Sequence, residues 1–284
     1  AASDVYKRQT PNRNVNYKIE RHPEKWEAFK TYTHSQIGEL MSNYGTIDIL
    51  WLDGGWVSPR NNQDIDMPQI AAMARAKQPG LLVVDRTIHG KYENYQTPEQ
   101  KIPEHQLPYP WESCVTLTTD WGWVKNPVYK TPNRIISILM EVVAKGGNLL
   151  LGVGPTAEGL IEQPTVKRLQ EIGRWMQKNG KAIFHTRITP NYHCGNVWFT
   201  ADKNGRTLYA LYALPEGETL PAVIEWEGNV PERGTSVRLL STGQRMKWIE
   251  RDGKVAVTLP AKLAGSTEPI ALQFDTSLPK QNKK

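Results

Sequence analysis

Cysteine is nearly missing from this chain: Cys114 and Cys194 are the two among 284 residues. Two cysteines cannot build a disulfide framework, and these match no metal-ligand spacing, so neither a metal nor another cofactor is implied. No run of about 18 apolar residues occurs, which excludes a membrane-spanning helix from the reading. Residues 1–9 show no basic end leading into an apolar stretch, so no secretory signal is read there. The charge excess is small, 35 basic against 29 acidic residues, a formal net charge of +6. The basic residues are spread along the chain apart from Lys280, Lys283 and Lys284. That group reads as a solvated tail, and with no binding motif beside it a nucleic-acid partner is not expected. Tryptophan, in contrast, is plentiful, at ten residues. Its flat apolar face suits sugar rings, although packing accounts for more than half of such residues.

The segment Asp4 to Gln9 reads like a translated transposon end from a sequencing library. Residues 1–9 are therefore expected to be non-native, with the protein proper beginning at about Thr10 and more natural chain expected before it.

The stretch 47–56, Ile-Asp-Ile-Leu-Trp-Leu-Asp-Gly-Gly-Trp, organises the rest of the chain. Its apolar run suits a strand buried on both faces, as in a parallel sheet. The run ends on Asp53, with Gly54 and Gly55 freeing the backbone to turn. A carboxylate at the carboxyl end of a parallel strand is where an α/β barrel carries its chemistry; a turn or cap is the plainer role for Asp. A helix is expected over 23–43, started by Pro23, with Trp26, Phe29, Ile37, Leu40 and Met41 on one broad face. A second covers 68–77, and a short buried strand, 81–84, leads to Asp85-Arg86. The stretch 87–111 is long and irregular, and such a loop is more often functional than idle. Strands are expected at 114–118 and 148–153, with the aromatic turn Asp120-Trp121-Gly122-Trp123 after the first. Thr131 and Pro132 start a strong helix, which Lys145-Gly146-Gly147 closes. A last helix covers 164–178, ended in left-handed fashion at Asn179-Gly180.

After about residue 187 the texture changes. Seven short segments rich in β-branched and aromatic residues come next, near 197–200, 207–214, 222–226, 236–240, 246–250, 255–259 and 270–274. Asn204-Gly205 and Asp252-Gly253 between them are hairpin signals, and the whole reads as an antiparallel β-sandwich. About four barrel-type strands precede it, half of what a closed (β/α)8 barrel needs. The expected fold is α/β: the C-terminal part of a (β/α)8-like TIM barrel over 10–186, then an antiparallel β-sandwich domain with the basic tail over 187–284.

Four motifs carry a resemblance: Tyr44-Gly45-Thr46-Ile47-Asp48-Ile49-Leu50-Trp51-Leu52-Asp53-Gly54, Pro110-Trp111-Glu112-Ser113-Cys114, Trp121-Gly122-Trp123, and Gly146-Gly147-Asn148-Leu149-Leu150-Leu151-Gly152-Val153-Gly154-Pro155. In this order, across residues 20–185, the chain resembles the α-L-fucosidases of glycoside hydrolase family 29. The resemblance implies a retaining exo-glycosidase that removes terminal α-linked L-fucose from oligosaccharides or glycoconjugates, in an exported protein. Retention needs a nucleophile and an acid/base about 5–5.5 Å apart. Asp53 matches the family nucleophile. For the acid/base Glu99 is preferred, since the family carries it on a variable loop a little before the Trp-Glu motif; Glu112 is the alternative, or an orienting partner, and Glu93 a third. Trp51, Arg86 and Trp121 match positions near the sugar, against the plainer readings of core aromatics and, for Arg86, an ion pair with Asp85 or Glu93.

The family binds fucose partly through histidines on earlier barrel strands. His22 and His34 belong to a helix region here, and His105, His185 and His193 come too late, so half of that subsite is lacking. The activity is accordingly expected of a longer parent, with the 284-residue chain itself inactive or poorly folded. A non-catalytic carbohydrate-binding protein, and a barrel glycosidase acting on another sugar such as galactose, are the other classes this sequence allows.

Overall fold

The computed structural model describes residues 18–54, 57–86 and 90–276. The suspect segment 1–9, Gly55, Trp56 and the basic tail lie outside the described residues. The chain divides into two compact units, Ala1–Thr97 and Pro98–Lys284.

In the first unit, helix α1 (Pro23–Asn43) begins with proline at its first turn, where a missing N–H costs nothing. Trp26, Ile37 and Met41 are buried as expected, and the Trp26 indole donates to the Asp64 carbonyl at 3.0 Å. Phe29 and Leu40, expected on the same face, stay exposed. Gly45, at φ +83°, reverses the chain into strand β1 (Ile49–Leu52). Helix α2 (Met67–Lys77) is capped by Asp66, whose carboxylate accepts from the Gln69 N–H at 3.2 Å. It leads to strand β2 (Leu82–Asp85), which pairs in parallel with β1 in the register Ile49↔Leu82 to Leu52↔Asp85. Leu50 and Val83 join Ile37, Met41, Ile70 and Ala74 in one apolar core. The expectation of burial on both faces holds only in part. Ile49 and Leu82, partners in register, are 45% and 42% exposed.

The second unit opens with another parallel pair. Strand β3 (Glu112–Thr116) pairs with β4 (Asn148–Gly152) from Glu112↔Asn148 to Thr116↔Gly152, and helix α3 (Pro132–Ala144) connects them. The Thr131 hydroxyl caps α3 by accepting from the Arg134 N–H at 3.1 Å. Gly146, at φ +84°, ends the turn after it. Gly147 has a different reason to be glycine: a Cβ there would lie 2.5 Å from the ring of Trp111. Two of the sequence motifs thus meet in one contact.

Helix α4 (Gln163–Asn179) does not end as expected. Gly180 keeps φ −58° and a short 3-10 turn, Gly180–Ala182, continues the chain. The left-handed residue is His185, at φ +59°. Packing explains the delay, because Ala182 and Ile183 join Trp175 in the core and need the extra turn to reach it.

Eight strands then form one antiparallel sheet: β5 (His193–Cys194), β6 (Val197–Ala201), β7 (Thr207–Tyr212), β8 (Val223–Glu227), β9 (Val237–Leu239), β10 (Arg245–Arg251), β11 (Lys254–Thr258) and β12 (Ile270–Asp275). Their order across the sheet is β5-β6-β7-β12-β9-β10-β11-β8. The β10–β11 hairpin turns on Asp252 and Gly253, at φ +51° and +80°, as a tight primed turn requires. Along β7, Leu208 and Ala210 face one core while Tyr209 and Leu211 face another, against α3 and α4. The sheet curls strongly: Trp226 on the end strand β8 packs 5.9 Å from Phe199 on β6 and 5.8 Å from Phe274 on β12, between ring centroids.

Candidate active site

In the first unit three of the sequence-selected residues meet. Register brings them together. Leu52 pairs with Asp85, so the next residue on each strand, Asp53 and Arg86, leave the sheet side by side. The Arg86 Nη1 donates to Asp53 Oδ1 at 3.1 Å, and its guanidinium carbon stands 4.9 Å from the centroid of the Trp51 ring. Arg86 is largely buried, at 17% side-chain exposure, whereas Asp53 is open at 62%. A guanidinium held between an indole face and a carboxylate is fixed in direction, because its planar fork allows few alternatives. The carboxylate therefore has one oxygen engaged and most of its surface available. The Trp51 indole N–H is buried and has no partner among the described residues. A tryptophan usually finds one when buried, so this donor is unused within the unit.

The second unit holds both candidate glutamates. Glu112 is the first residue of β3 and is half-buried. Burial raises its carboxyl above the usual carboxylate range, since a poorly solvated group resists charge. Glu99 is exposed. It forms a parallel bridge with Cys114, on the segment whose Gln100 N–H donates to the Cys114 carbonyl at 2.8 Å. Gln100, at φ +54°, locks this segment through its amide, which donates to the Thr116 hydroxyl at 2.9 Å.

At the other end of β3 stands the aromatic turn. Trp121 is 49% exposed and lies over Gly152, the last residue of β4. Lys130, which sequence reasoning missed, and Gly154, from the fourth motif, hold this turn. Lys130 donates to the carbonyls of Thr116 and Thr118, at 2.7 and 3.0 Å. Its burial, with Arg134 nearby, lowers its pKa below the ordinary lysine value. Gly154 lets the turn approach, since a Cβ there would lie 2.5 Å from backbone atoms of Gly122 and Trp123. Among the described residues no cluster of three or more His, Cys, Asp or Glu could hold a metal ion. No described helix is long and apolar enough to cross a membrane.

A family model described as Alpha-L-fucosidase matches residues 3–181. Plasma alpha-L-fucosidase of Pongo abelii is 30% identical over 249 residues, which cover 80% of this chain and 51% of that protein. Among solved structures, alpha-L-fucosidase isoenzyme 1 from Paenibacillus thiaminolyticus aligns with a TM-score of 0.76 at 28% identity, over 88% of this chain and 62% of that one. The Thermotoga maritima alpha-fucosidase in complex with a mechanism-based inhibitor aligns with a TM-score of 0.72 at 26% identity, over 88% of this chain and 57% of that one. The chain spans about half the length of the curated relative it matches. With the family model covering well over half of its residues, the chain belongs to the α-L-fucosidase family.

Proposed function

We propose that this chain carries the catalytic carboxylates of a retaining exo-glycosidase that hydrolyses terminal α-L-fucose from oligosaccharides or glycoconjugates. Asp53 is the nucleophile. Its exposed oxygen attacks the anomeric carbon as the glycosidic bond breaks and the acid/base protonates the departing oxygen. Water, deprotonated by the same acid/base, then displaces Asp53 from the covalent fucosyl-enzyme and releases fucose. Arg86 and Trp51 hold Asp53 in place and line the sugar's position, and Trp121 takes the apolar side of the sugar. The single observation that carries this reading is the Trp51–Arg86–Asp53 cluster at the carboxyl ends of two parallel strands. In the same reading β1 to β4 are strands of a (β/α)8-type domain over 10–186, and the curled antiparallel sheet is the β-sandwich domain over 187–284.

Two observations bear on the acid/base and point in opposite directions. The raised carboxyl of Glu112 suits a group that must begin protonated. Its place does not suit the role. Glu112 lies at the amino end of β3, four residues or about 13 Å of strand before Thr116. Chemistry in parallel barrels sits at the carboxyl ends. Glu99, on the loop segment that bridges to Cys114, is therefore preferred for the role and Glu112 is the alternative. Export from the cytosol belongs to the same reading, supported by a relative named for plasma.

Labelling with a 2-fluoro-fucosyl inhibitor, followed by peptide mass analysis, tests the assignment. The fluorosugar mass is expected on the peptide containing Asp53. A label on another carboxylate would overturn the nucleophile. Turnover of nitrophenyl galactoside above that of the fucoside would overturn the sugar.

A further inference from the structure

The loop after β3 carries a second tryptophan that the mechanism leaves unused. Trp123 is 45% exposed, close to the 49% of Trp121, while the core tryptophans Trp111, Trp175 and Trp226 are each at 1%. The gap beneath Trp123, walled by Leu117, Pro127 and Tyr129, holds only about 10 Å³, room for one water at most. A ligand ring therefore has only the outer surface of this indole to meet. An exposed indole on a mobile loop would be ordinary, but this loop is braced on two sides. Lys130 fixes the carbonyls of Thr116 and Thr118, and Gly154 lies against the Gly122–Trp123 backbone. The Thr118 hydroxyl adds bonds within the turn, donating to the Asp120 carbonyl and accepting from the Asp120 N–H. Such bracing lowers the entropy lost when a ligand stacks, which makes a rigid aromatic an effective anchor.

We propose that Trp123 is a second sugar-stacking surface, which takes the pyranose ring adjoining the terminal one. Two residues of chain span at most about 7 Å, the scale of one sugar residue, so two indoles separated by Gly122 suit two linked rings. The inference rests on the functional reading above, in which Trp121 meets the terminal fucose. It adds a specificity element: the enzyme favours fucose joined to another sugar over fucose joined to a small group.

Titration calorimetry of the longest natural form of the protein with free L-fucose and with a fucosyl-galactose disaccharide tests it. Trp121→Ala should weaken both ligands about tenfold. Trp123→Ala should weaken the disaccharide about tenfold and leave free fucose within about twofold, with Trp123→Phe restoring most of the loss. Trp123→Gln keeps bulk without a ring and should behave as Trp123→Ala. Equal effects on both ligands, or no effect of Trp123→Ala, would overturn this inference and leave the functional reading standing. Failure of that unsubstituted longest form to bind either sugar would overturn the functional reading and this inference with it.

Discussion

Strands β1 and β2 pair in parallel through four residue partners and β3 and β4 through five, and each pair packs on helices through a continuous apolar core. At their carboxyl ends the pairs part company. The first finishes in charge, with an open carboxylate held by a buried arginine. The second finishes in two exposed indoles on a turn held by the Lys130 ammonium, which donates to backbone carbonyls. The difference teaches how one local architecture supports two jobs. Charge is positioned by register, since adjacent strand ends put Asp53 and Arg86 side by side. Apolar surface is positioned by close approach, since only a glycine at 154 admits the turn.

The largest expected effect tests the charged end. Asp53→Asn, in the longest natural form of the protein, should lower fucoside turnover at least about a thousandfold, or ~4 kcal/mol of activation free energy. Its melting temperature should stay within a few degrees, because Asp53 is open to solvent. Turnover near that of the parent would remove the distinction between the two strand pairs.

The next effect separates the glutamates. Glu99→Ala should slow substrates with poor leaving groups about a hundredfold or more, while activated aryl fucosides keep their first step. Azide should restore turnover by attacking the fucosyl-enzyme. Azide rescue of Glu112→Ala instead, with none for Glu99→Ala, would move the acid from the segment beside Cys114 to the amino end of β3.

The aromatic end answers to a backbone change. Gly154→Ala drives a methyl into Gly122 and Trp123, and should cost about 1–3 kcal/mol in thermal unfolding. Gly173→Ala, inside α4 with nothing within 4 Å of the added methyl, is the control and should gain up to about 1 kcal/mol. Equal effects would mean the turn yields and is not held.

The smallest effect is a pH dependence. Burial raises the Glu112 carboxyl in the folded chain, so its contribution is fully present below the ordinary value of 4.5 and is lost as pH rises through the folded value. Glu112→Gln should therefore raise the melting temperature slightly near pH 7, with the gain vanishing near pH 4. A gain that persists at low pH would point to packing rather than charge.

Much of the architecture was legible in residue order. Pro23 and Gly45 bracket α1, Thr131 and Pro132 open α3, and Asp252-Gly253 closes a hairpin, because each acts through the local backbone. All seven antiparallel segments appear as strands, and the two-residue β5 was missed because it is too short to alternate. The site was legible in its residue types and less so in its partners. Asp53 and Arg86 lie 33 residues apart, and strand register makes them neighbours. Lys130 left no trace at all, since its acceptors are backbone carbonyls that any residue supplies.

Strand β12 lies in the interior of the antiparallel sheet, between β7 and β9, although it is the last described strand to be synthesised. On a ribosome adding about 5–20 residues each second, the strands on its two sides would wait several seconds with facing open edges. Until Ile270–Asp275 emerges, β5-β6-β7 and β9-β10-β11-β8 are two separate ribbons, each offering unpaired backbone groups to any passing strand. A nascent chain stalled before that point would be a target for chaperones. The six residues of β12 set the moment at which that exposure ends.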